Sequence, residues 1–145
     1  MGKYVYNDED NRADVYPADV YAGTVTWARD GRTKDDEFDQ LKIGFELDGH
    51  KGSLVFDQLT FSEKAGAFID IFLKATGNAP KEGKGVEVEL DANIVTGWRA
   101  WLNVGIEDDR KIKGKKKNMI INYILDKGVP PVTPEVEQHK ENDPF

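Results

Sequence analysis

Apolar and polar residues alternate along most of this chain, and the alternation predicts strands. The clearest case is 41–47, LKIGFEL, where Leu41, Ile43, Phe45 and Leu47 take one side and Lys42, Gly44 and Glu46 the other. That period of two marks a half-buried strand, and Asp48-Gly49 ends it with a tight-turn signal. Before it, residues 20–29 (VYAGTVTWAR) predict a first strand, with Tyr21, Val25 and Trp27 on one face around Gly23; residues 53–61 predict a third. Ser62 is a candidate N-cap for a helix over 62–77. Its stripe of Ala65, Phe68, Ile69, Phe72 and Leu73 is read as core, and Gly77 and Pro80 stop it. Val86, Val88 and Leu90 predict a short extra strand.

The richest stretch is 97–125. Two apolar runs, 98–106 and 119–125, flank a polar segment with Arg110, Lys111, Lys113, Lys115, Lys116 and Lys117. This predicts a long β-hairpin with a cationic tip, turning at Gly114. In its second strand Met119, Ile121, Tyr123 and Leu125 should share a side. Trp98 and Trp101 differ by an odd step, so one should point in and one out; Trp98 and Trp27 are expected to be the less buried tryptophans.

Three strands, a helix and two more strands is the order of the OB-fold. The predicted fold is therefore mainly β: a five-stranded Greek-key barrel with one helix between strands three and four, plus a disordered acidic tail. Such barrels bind ligands across strands two and three and the loops joining strands one to two and four to five. The expected division is a flexible arm over 1–15, the OB domain over 16–127, and the tail over 128–145, where Pro130, Pro131 and Pro134 favour an extended chain.

Composition then narrows the function. The net charge of −7 disfavours nucleic acid at first sight, but it is unevenly spread. Residues 1–19 and 131–145 each carry −3, and the body over 20–130 has 18 acids against 17 bases. What a phosphate backbone meets is the local cluster of bases. No cysteine is present, so disulfides and thiolate chemistry are excluded. No apolar run has the length of a membrane span, and no signal-peptide core is expected at the start. With only His50 and His139, catalysis finds no support, and Asp35-Asp36-Glu37 is read as a solvated loop rather than a metal site. No cofactor is expected.

Cations beside strand aromatics suit a single strand of nucleic acid, with charge for phosphates and flat faces for bases. The stacking candidates are Trp27, Trp98, Trp101 and Tyr123. The phosphate candidates are Arg29, Lys34, Lys42, Lys51, Arg99, Lys113, Lys115, Lys116 and Lys117.

Several pieces of the chain resemble a phage family of OB-fold single-stranded DNA-binding proteins, long catalogued as a domain of unknown function. The matching residues are Tyr21-Ala22-Gly23, LKIGFEL at 41–47, HKGSLVFDQLTF at 50–61, Lys74-Ala75-Thr76-Gly77, GWRAWLNV at 97–104, and 118–123. The resemblance covers 16–125 and implies a role in phage DNA replication or recombination in the host bacterial cytoplasm. Separately, the end Glu141-Asn142-Asp143-Pro144-Phe145 is similar to the acidic, aromatic-closed tails of bacterial single-strand-binding proteins, though with fewer acids. Glu141, Asp143, Pro144 and Phe145 are thus expected to recruit replication or recombination proteins. A homo-oligomer and RNA as ligand both remain open. The alternative is a non-catalytic protein-interaction module, a phage accessory protein or nucleic-acid mimic that binds a host protein.

Overall fold

A computed structural model describes residues 2–3 and 15–132. Residues 4–14 and 133–145, with Glu141, Asp143, Pro144 and Phe145, lie outside the described residues. The strands are β1 (Asp19–Arg32), β2 (Asp39–Leu47), β3 (Leu54–Thr60), β4 (Arg99–Asp108) and β5 (Lys116–Ile124). Helix α1 (Gly66–Ala75) follows β3, and a short helix α2 (Ala92–Val95) precedes β4. The strands pair antiparallel in the order β3-β2-β1-β4-β5. The sheet curls until β3 faces β5 across a seam, where Tyr123 Oη donates to Asp57 Oδ2 at 2.5 Å. The result is a nearly closed OB-fold barrel.

The alternating apolar residues of β2 explain the core. Leu41, Ile43, Phe45 and Leu47 are all buried, against Val25 of β1 and Leu102 and Val104 of β4. α1 plugs one end of the barrel with Phe72, fully buried between Trp98 (ring centroids 5.8 Å apart) and Tyr123 (5.9 Å). Removing a side chain of that size from water contributes about 2–3 kcal/mol. The helix stops in a Schellman motif: Asn78 N–H donates to Leu73 O (2.8 Å) and Gly77 N–H to Lys74 O (3.2 Å), with Gly77 at φ 74°. A Cβ on Gly77 would stand 2.7 Å from Val129 Cγ2, so glycine is needed there twice over.

Several local expectations are corrected. α1 begins at Gly66, because Ser62 Oγ accepts from Ala65 N–H (3.2 Å) and caps a separate turn before the helix. Phe68 is 66% exposed, since Ile69, Phe72 and Leu73 centre the buried stripe and leave it at the rim. Residues 86–90 form no strand; their backbone has no neighbouring strand, and only Leu90 packs on the core. Asp91 instead caps α2 by accepting from Ile94 N–H (2.9 Å). In β5 the register against β4 slips by one residue between Asn103 and Val104. Ile120 and Tyr123 therefore both pack on the core and Ile121 is 54% exposed, so the predicted one-sided row from Met119 to Leu125 does not form.

The folded body also runs past 127. Pro130 is buried, and Arg99 donates to the carbonyls of Pro130 (Nε, 3.3 Å) and Pro131 (Nη2, 2.8 Å). A proline-rich segment has few N–H donors but keeps its acceptors, which is what a guanidinium can use. At the other end, Asn118 clamps Tyr16, accepting its N–H (2.8 Å) and donating to its carbonyl (2.9 Å), while the Tyr16 ring lies 4.2 Å from His50. Among the described residues no helix is long and apolar enough to cross a membrane.

Candidate nucleic-acid interface

The outer face of β1, β2 and β3 is built in rows set by strand register. One row is Trp27, Gly44 and Phe56; the next is Arg29, Lys42 and Gln58. Trp27 reaches this face through a β-bulge. Val25 pairs with Phe45 and Trp27 with Gly44, which leaves Thr26 as an extra residue. Two residues along a regular strand return to the same face, so without the bulge Trp27 would follow Val25 into the core. The expectation that Tyr21, Val25 and Trp27 share a face is overturned there: Val25 is fully buried and Trp27 is 38% exposed.

Across the row Phe56 is 57% exposed, and its ring meets Trp27 edge to face at 5.7 Å and 87°. Gly44 lies between them. A Cβ there would come within 3.0 Å of Leu54 Cδ1 and 3.2 Å of Phe56 Cε1. The missing side chain leaves room for the two rings to meet as a corner, nearly perpendicular to each other. Arg29 and Lys42 are exposed beside it, and neither makes an ion pair among the described residues. The arrangement can stack a flat group and hold adjacent negative charge. Phe56 and Gln58 were not among the sequence candidates. The signal was present in 54–60, LVFDQLT: once Val55 and Leu59 face inward, Phe56 and Gln58 must face out.

The other candidates are dispersed. Trp98 is partly buried, packed against the core on Phe72, and Trp101 is partly buried on the outer side of β4 with Lys127 Nζ 4.6 Å above its ring. Tyr123 is inside, with its ring edge-on to Phe45 at 6.0 Å. Burial, then the charge and hydrogen bond of Asp57, hold its hydroxyl well above the ordinary range. Arg99 is spent structurally: it grips Asp48 with two bonds (Nη1–Oδ1 3.0 Å, Nη2–Oδ2 2.8 Å) and donates to Thr24 Oγ1 (2.6 Å). Lys34 is exposed in the β1–β2 loop and Lys51 in the β2–β3 turn. In that first loop Asp35 accepts from Thr33 Oγ1, which holds its carboxyl below the ordinary value, and Asp36 pairs with Arg32 (2.5 Å).

At the β4–β5 tip the strands extend further into the polar segment than predicted. Lys116 pairs with Asp108 and Lys117 with Glu107 (3.5 Å) directly across the ladder. Lys113 is exposed in the turn and Lys115 is half-buried. Of the thirteen candidate residues in the described region, one face thus gathers Trp27, Arg29 and Lys42. No family model matches the chain, and no curated protein matches it.

Proposed function

We propose that this protein binds single-stranded DNA without strong sequence preference, laying it across the outer face of β1, β2 and β3. The observation that carries this reading is the exposed Trp27–Phe56 corner over Gly44, with Arg29 and Lys42 in the adjacent row. Stacking accepts any base, and two cations beside the rings answer the phosphates. The OB-fold is a frequent carrier of this task. Lys113 and its neighbours at the hairpin tip add long-range attraction. The resemblance to phage single-strand-binding proteins supplies the setting, replication or recombination in a bacterial host cell, with the Phe145 tail recruiting partner proteins.

The test is equilibrium binding of fluorescent oligo-dT, against a duplex of equal length. The single strand should bind more tightly, and Phe56→Ala should weaken it about tenfold, as expected for one stacked base. Equal affinity for duplex, or no loss in Phe56→Ala, contradicts the proposal.

A further inference from the structure

The row of Arg29, Lys42 and Gln58 leads off the edge of β3. Gln58 also lines a groove of about 330 Å³ in the seam between β3 and β5, together with Phe68 and Ile71 of α1 and Ile121 and Asn122 of β5. Phe68 is 66% exposed and Ile121 54% exposed, although the rest of the apolar stripe of α1 turns inward. The groove's lips carry two carboxamides, Gln58 and Asn122, each with a donor and an acceptor. Its one carboxylate, Asp57, accepts from the Tyr123 hydroxyl at 2.5 Å and keeps its negative charge. A flat ring, aliphatic walls and two amides, with no cation and one carboxylate that repels anions, suit a neutral planar group with hydrogen-bonding edges. A phosphate or an acidic peptide would find no cation among the groove's lining residues.

We propose that the seam groove is a second nucleobase subsite. It takes a base from a single strand that has already crossed the Trp27–Phe56 corner and the Arg29–Lys42 row. The base stacks on Phe68, and Gln58 and Asn122 address its edge. This rests on the single-strand-binding reading above, and Gln58, which belongs to both surfaces, makes them continuous.

The experiment compares the full-length chain with Phe68→Ala, Asn122→Ala and Trp27→Ala on oligo-dT of about 4 and about 16 nucleotides, the span of OB-fold site sizes. Phe68→Ala should weaken the long oligonucleotide about tenfold and leave the short one within about twofold, as loss of one stacked base requires. Asn122→Ala should weaken the long one by less, and it keeps the test decisive should Phe68→Ala fold poorly. Trp27→Ala should weaken both lengths. If neither groove variant changes long-oligonucleotide affinity while Trp27→Ala does, the subsite is overturned and the outer-face reading stands. Equal loss on both lengths in Phe68→Ala also overturns it. So does a change in self-association by sedimentation with DNA affinity intact, which would make the groove a protein contact. An intact chain that binds neither oligonucleotide overturns both readings.

Discussion

Arg99 makes five hydrogen bonds from a side chain only 10% exposed, tying β1, the turn after β2 and the segment after β5 to one guanidinium. Arg99→Ala would strand Asp48 and two proline carbonyls, and should cost about 3 kcal/mol of stability, near the lower end for breaking a buried pair. Arg99→Lys keeps the charge but not the planar fork, and should recover less than half of that. Denaturant unfolding reads both. DNA affinity of the folded fraction should barely move, in contrast to a phosphate contact. Tyr123 gives a residue-level signature in pH. Its folded pKa lies above its ordinary value of 10.0, chiefly through burial. The group therefore adds no pH dependence below about pH 10, and stability should fall as pH rises beyond it. Tyr123→Phe should shrink that alkaline step, at a cost near neutrality of about 1–3 kcal/mol because Asp57 loses its donor. An alkaline step of undiminished size in Tyr123→Phe contradicts this assignment.

At the scale of elements, alternation and apolar runs predicted the five strands, alternation also predicted a strand over 86–90 that does not form, and the helical stripe predicted α1. Which face a residue takes was less legible. Parity along a strand holds only until a bulge, and both bulges here fall at ordinary residues, Thr26 and Ile121, with no glycine to announce them. Trp27 is outside and Tyr123 inside for that reason. Arg99 was misread for another: its partner Asp48 lies 51 positions away, and no local pattern reports such a pairing. The hairpin makes an element-level prediction. Lys116→Glu with Lys117→Glu would set like charges opposite Asp108 and Glu107 and should destabilise the ladder by about 1 kcal/mol. Lys111→Glu with Lys113→Glu falls in the turn, and should leave stability within about 0.5 kcal/mol. That second pair should flatten the salt dependence of DNA binding by about 0.7 in log–log slope per lost phosphate contact. An unchanged slope would remove the tip from the DNA path.

For the molecule as a whole, the charge distribution matters more than the total of −7. The acids at both ends flank a nearly balanced body whose cations are locally grouped. Removing residues 133–145 should leave the barrel folded and raise DNA affinity modestly at low salt, where an acidic segment competes furthest for exposed bases. Truncating after Lys127 instead should destabilise the protein by about 2 kcal/mol, because Arg99 loses the Pro130 and Pro131 carbonyls and Gly77 its Val129 contact. Equal melting temperatures for the two truncations would contradict the extension of the folded body to Pro131.

The three tryptophans report directly on where a single strand binds, since each occupies a different environment: Trp27 on the outer face, Trp98 partly buried against Phe72, and Trp101 beneath Lys127. Their indole N–H signals can be followed by NMR while a short oligo-dT is added to the isotope-labelled protein. The Trp27 indole and the Gly44 amide should shift together and saturably, while the Trp98 and Trp101 indoles stay in place. Movement of Trp101 or Trp98 with Trp27 unmoved would contradict binding across the outer face.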